Sequence, residues 1–202
     1  MTLPVGWEGY QHNFLGLEEP WCHPDQAGVY VLPAPYEHTS SYILGSDEGP
    51  SAIIEASHQV EFYDEMLRCE PYREWGGIAT VTPLDLKGKV DKEAVEAIEA
   101  FVRPFVATGK FLVTLTGEHT GALGAIRAHA KRYPSLTVVQ IDAHGDLRHD
   151  GDTRTPEMAM SKREARWTRR NRREPTSHLV LPSARGCRSG SEDALDSRAG
   201  RG

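Results

Sequence analysis

Two uninterrupted apolar and β-branched runs, FLVTLT (111–116) and LTVVQI (136–141), stand about 25 residues apart. Between them, from about Ala122 to Arg132, the residues suit a helix. Strands without polar alternation, separated by a helix, belong to a parallel sheet buried on both faces. The 111–141 stretch therefore reads as one βαβ unit. Few other features constrain the fold as tightly. Open parallel sheets bind ligands just beyond the carboxyl ends of their strands. The segments that follow the two runs are Gly117-Glu118-His119-Thr120 and Asp142-Ala143-His144-Gly145-Asp146. The expectation is that His119, Asp142, His144 and Asp146 share one crevice.

The rest of the first 150 residues fits an α/β chain. GVYVLP (28–33) and IATVTPLD (78–85) read as short strands. After Pro50 a helix is expected, with Ile53, Ala56, Val60, Tyr63 and Leu67 on its apolar face. Pro50 suits its first turn, where a missing N–H costs nothing. Asp91 is expected to cap a second helix with Val95, Ile98, Val102 and Phe105 inward. Pro104 should kink or end that helix. APYEHTSSYILGSDEGP (34–50) reads as a long loop, and loops of that length are usually functional or disordered. His38 within it belongs either to a solvated flexible loop or to one that shapes a binding pocket. The expected architecture is a three-layer αβα sandwich around a parallel sheet.

Charge divides the chain. Residues 1–150 carry 11 Lys and Arg against 22 Asp and Glu; residues 151–202 carry 12 against 7. The second segment has eleven arginines, one lysine, no Ile, Phe or Tyr, and Trp167 as its one aromatic. Such a composition buries too little apolar surface to offset ordering entropy, so disorder is expected there. The division is into 1–150, a folded part, and 151–202, an arginine-rich tail. No stretch approaches the ~18 apolar residues of a membrane span. The N-terminus has neither the basic nor the apolar region of a secretory signal. Cys22, Cys69 and Cys187 are far apart and form no CxxC pair. A reducing cytoplasm is the expected compartment.

Asp142, His144 and Asp146 lie two apart, and residues two apart on a strand point to one face. Carboxylates with neutral imidazoles suit a borderline or hard divalent ion. Carboxylates that bridge can hold two ions about 3.5–4 Å apart.

The paired motifs resemble the ureohydrolase family, which includes arginase, agmatinase, guanidinobutyrase and formimidoylglutamase. That family carries a G-G-D-H type motif, then D-A-H-x-D about 20 residues later. VVQIDAHGDLR (138–148) and PAPYEHTSSYILGSDEGPSAIIEAS (33–57) resemble the agmatinase branch most. The resemblance covers roughly residues 25–150, and GEHT departs from the commoner GGDH while keeping the histidine. It implies hydrolysis of a guanidino compound, agmatine foremost, to urea and an amine with two Mn²⁺ ions. It also implies a small guanidino substrate and a homo-oligomer. By resemblance His119 and Asp146 would bind one ion and His144 the other. Asp142 would bridge both, and Asp146 with His144 would serve catalysis.

The family's later S-x-D-x-D-x-x-D-P motif and guanidinium-binding glutamate are not found in these 202 residues. The expectation is a chain that is weakly active or inactive by itself. The tail reads as out-of-frame translation of GC-rich DNA; a homologous tail in another frame would bear this out. Two other classes compete. One is a non-enzymatic, metal-poor protein whose basic tail contacts nucleic acid. A tail with one aromatic, no recognisable module and an acidic body beside it argues against that. The other is a single-metal deacetylase-like hydrolase, against which the pairing of GEHT with DAHGD weighs.

Overall fold

The computed structural model describes residues 6–40 and 42–142. Its three strands are β1 (Val29–Ala34), β2 (Ile78–Thr80) and β3 (Phe111–Thr116). Its helices are α1 (Gly49–Ser57), α2 (Pro71–Glu74), α3 (Asp91–Val106) and α4 (Thr120–Arg132). The sheet runs in the order β2-β1-β3 and both pairings are parallel. Val29 pairs with Ile78 on one side and with Phe111 on the other, and the second ladder extends to Ala34 and Thr116. β1 is thus the central strand, and it is buried from Tyr30 to Ala34.

The alternation of β1 sorts its neighbours into layers. Tyr30, Leu32, Ala34 and Tyr36 enter one cluster with Ile98, Phe101, Val102 and Phe105 of α3 and Ala128 of α4. The Tyr30 and Phe105 rings meet edge to face at 5.4 Å, and Phe101 meets Phe105 in the same way at 5.9 Å. The other face carries α1 and the N-terminal arm. There the Leu15 amide donates to Ser57 Oγ (2.7 Å), and the Phe14 amide donates to Thr80 Oγ1 (2.8 Å). Helices on both faces of a parallel sheet make the expected αβα arrangement. No helix among the described residues is long and apolar enough to cross a membrane.

α3 follows its periodicity: Val95, Ile98, Val102 and Phe105 are all buried. It carries Pro104 in its last turn and ends two residues later, as proline in a helix requires. Its start departs from expectation. Asp91 has a left-handed backbone (φ 47°), and the N-cap position is Val90, whose side chain makes no cap bond. The Glu93 and Ala94 amides instead donate to Val90 O, and the Asp91 amide donates to Tyr36 Oη (2.9 Å). Asp tolerates this conformation better than most residues.

Two further expectations are corrected. α1 stops at Ser57, and its buried residues are Pro50, Ile54 and Ser57. Ile53, Val60, Tyr63 and Leu67 are exposed. The chain turns away after Ser57 because His58 Nε2 bonds Asn13 O (2.8 Å) and an Asp64–Cys69 bridge closes the next loop. The 136–141 run is not a strand. It has no regular secondary structure and no ladder, with Val139 77% and Ile141 97% exposed. A parallel strand needs a paired neighbour and a helix over each face. Among the described residues nothing pairs with 136–141, and β3 is only partly buried.

Candidate functional site

β3 ends at Thr116 and α4 begins at Thr120, so Gly117, Glu118 and His119 form the whole turn at the carboxyl end of the sheet. A three-residue strand-to-helix turn leaves little room. A Cβ on Gly117 would lie 2.5 Å from Tyr36 O and 2.7 Å from Asp47 N, closer than side-chain carbons approach backbone. Glycine there lets the turn press against the 36–47 loop. Gly121, one turn later, does the same against the side chain of Thr116.

His119 is the N-cap residue of α4 and is exposed. Glu118, its neighbour, turns the other way. Its carboxylate accepts from the His38 amide (3.0 Å), the Thr39 amide (2.9 Å) and the Thr39 hydroxyl (2.8 Å). Its own amide donates to Tyr36 O (3.0 Å). The residue that distinguishes GEHT from GGDH is therefore a clamp on the loop that carries His38. That loop has a second clamp. Glu37 accepts from the Gly45 amide (2.7 Å) and the Ser46 amide (3.1 Å). The Ser40 hydroxyl, then the Gly45 amide, hold the Glu37 carboxyl well below the usual range, at about 2. His38 lies across the loop with Nε2 3.7 Å from Asp91 Oδ1.

Thr120 is buried, and its hydroxyl makes no hydrogen bond among the described residues. A buried hydroxyl without a partner costs free energy. It sits directly after His119.

Of the four residues expected to share a crevice, two are described. His119 stands in the turn that follows β3, and Asp142 is exposed. His144 and Asp146 lie outside the described residues, as do the 150/151 boundary and the arginine-rich tail. Among the described residues no three His, Cys, Asp or Glu side chains come together in a way that could hold a metal ion. The sequence did not signal the roles of Glu118 and Glu37. Their partners are backbone amides and hydroxyls distant in sequence or set by loop shape, and no residue pattern encodes such contacts.

Comparisons with known proteins converge on one group. The model of the arginase family matches residues 27–198, a match that runs past residue 150, where the motif-level resemblance stops. An N(1)-aminopropylagmatine ureohydrolase of Synechocystis is 45% identical over 153 residues, covering 73% of this chain and 49% of that protein. An agmatinase of Bacillus anthracis is 34% identical over 132 residues, covering 62% of this chain and 43% of that one. The crystal structure of the agmatine ureohydrolase of Thermoplasma volcanium aligns with a TM-score of 0.55 at 24% identity, over 73% of this chain and 46% of that chain. The chain spans about half the length of the relatives it matches.

Proposed function

The chain belongs to the arginase family, and on that premise we propose that it carries the first part of an agmatinase-type ureohydrolase site. The reaction is hydrolysis of a guanidinium carbon, releasing urea and an amine. The substrate class is a guanidino-alkylamine, agmatine or its aminopropyl derivative, in keeping with the names of the similar proteins. The observation that carries the reading is the position of His119. It stands at the carboxyl end of a parallel strand and opens a helix, and D-A-H-x-D follows 23 residues later in the sequence.

The donor types suit Mn²⁺. An imidazole and a carboxylate are both exposed at the described end of the site. The unpartnered Thr120 hydroxyl marks a polar position beside His119. In this proposal His119 and Asp146 would hold one ion and His144 a second, with Asp142 between them. The chemistry that two bound cations supply is the acidification of water to near-neutral pKa. The chain's own residues do the rest. By the family resemblance Asp146 would accept a hydrogen bond that orients the attacking water, and His144 would be the second catalytic residue. The Glu118 clamp keeps the 37–40 loop against the turn that presents His119.

Two aspartates and a glutamate that complete this site in the family have no counterpart among the 202 residues. With fewer carboxylates, two cations repel one another with less compensation. The 202-residue chain alone is therefore expected to release urea far more slowly than the 1–10³ per second, roughly, of ordinary enzymes. The test is a Mn²⁺ titration followed by calorimetry and electron paramagnetic resonance. Wild type should bind Mn²⁺, and His119→Ala or Asp142→Asn should weaken binding about tenfold or more. A wild-type chain that binds no Mn²⁺, or binds it equally after His119→Ala, refutes the proposal.

A further inference from the structure

A cavity of about 620 Å³ opens at the carboxyl ends of β1 and β2, on the face covered by α1 and the N-terminal arm. Its apolar lining is Pro33, Pro35, Pro50, Pro83 and Ile54. Four prolines make a rigid surface with no amide donors at those positions. The polar lining has one sign of charge. Glu8, Asp47 and Glu55 border the cavity, and among the described residues no lysine or arginine does. None of the three carboxylates forms an ion pair among the described residues. Of the two lining histidines, His58 has its Nε2 engaged with Asn13 O (2.8 Å).

The cavity adjoins the turn that carries His119. Asp47 lies in its wall, and the Asp47 amide is one of the backbone groups that a Cβ on Gly117 would meet, at 2.7 Å. Pro33 pairs with Leu115 of β3, so the lining begins one strand over from the end of β3. Neighbouring strands are about 4.8 Å apart. The cavity and the turn that carries His119 thus share the Asp47 segment as a common wall.

A rigid apolar floor bordered by carboxylates matches a chain of methylenes that ends in a cation. We propose that the cavity receives the alkylammonium end of the substrate, with the prolines and Ile54 against its methylenes and Glu8, Asp47 and Glu55 around its terminal –NH₃⁺. This rests on the guanidino-alkylamine reading above and adds what that reading lacks, a physical reason for selectivity. A guanidino compound ending in an ammonium fits the cavity. One ending in a carboxylate would bring a fourth negative charge to a wall that already holds three, which is the repulsive half of specificity.

The test uses the whole chain with butane-1,4-diamine as probe and butane-1,4-diol as the uncharged control. Amide chemical shifts locate binding, and calorimetry measures it. The diamine should shift amides of residues 8–12 and 47–55. Glu8→Gln/Glu55→Gln should weaken it about tenfold or more, and Asp47→Asn should act in the same direction. The diol should leave those amides unmoved. Diamine binding unchanged in both variants, equal binding of the diol, or shifts confined to other residues would overturn the proposal. Mn²⁺ titration of the same samples separates the two readings. Charge-dependent diamine binding in a chain that binds no Mn²⁺ upholds the alkylammonium site and removes the hydrolase reading. Mn²⁺ binding with charge-independent diamine binding does the reverse.

Discussion

Glu118→Ala removes the acceptor of three hydrogen bonds, from the His38 amide, the Thr39 amide and the Thr39 hydroxyl. A hydrogen bond to a charged group contributes about 1.5–3 kcal/mol when shielded. The His38 bond is exposed and the Thr39 bonds are half-buried, so water replaces much of what is lost. About 1–2 kcal/mol should remain, a factor of about 5–30 in the opening equilibrium of the loop. Native-state hydrogen exchange reads this directly, because local opening sets the rate of each amide. The His38 and Thr39 amides should exchange about 5–30 times faster in the variant. The Gly45 and Ser46 amides, which donate to Glu37, serve as the control and should change little. Equal acceleration of all four amides would mean that the whole fold is weakened. No acceleration at His38 and Thr39 would mean that the clamp holds nothing. Either result refutes the reasoning.

Gly124→Ala should destabilise the chain. Alanine gains about 1 kcal/mol over glycine in a helix, but the new Cβ would meet Ile98 Cβ and Val95 O of α3 at 2.7 Å. Overpacking of this kind costs about 1–3 kcal/mol. A lowered urea midpoint is expected, and a raised one would refute the close approach of α3 and α4. The second loop clamp makes a pH prediction. The folded Glu37 carboxyl titrates at about 2 against an ordinary value of 4.5, so its ionised form is the one the fold favours. Its stabilisation is complete above pH 4.5 and is lost as pH falls from 4.5 through 2. The Gly45 and Ser46 amides should lose protection over that window, after correction for intrinsic exchange rates, and Glu37→Gln should abolish the pH dependence.

The three strands, α3 and α4 were legible because each is set by a short-range pattern. β1 and β3 are continuous apolar runs, and the burial of Val95, Ile98, Val102 and Phe105 is plain helical periodicity. α1 misled because its apolar residues fit a helix twice its length. What ends it is a contact between His58 and Asn13, 45 residues apart. The 136–141 run has the composition of a strand, yet composition cannot provide the neighbours that make a strand. Asp91 was legible as the start of α3 but not as a left-handed residue whose amide serves Tyr36. At the candidate site the motif pointed to His119, while the clamp role of Glu118 depends on a loop about 80 residues upstream. The acidic cavity joins residues from the N-terminal arm, both strand ends and α1, and no linear motif spans them.

The placement of β1 between β2 and β3 has a consequence for synthesis. β1 is made first, but its two ladder partners begin at Ile78 and Phe111. At translation rates of about 5–20 residues per second, the interval between Val29 and Phe111 is roughly 4–16 seconds. For that time the most buried strand of the sheet lacks its longer ladder partner, and until Ile78 is made both of its edges are bare. Loop closure over such separations is slow compared with helix formation. α3, complete at Val106, can form before β3 exists and can cover one face of β1 through Phe105 and Val102. The helix thus acts as a temporary shield during birth of the chain, and substitutions that weaken it should lower the yield of folded protein in cells by more than they lower its equilibrium stability.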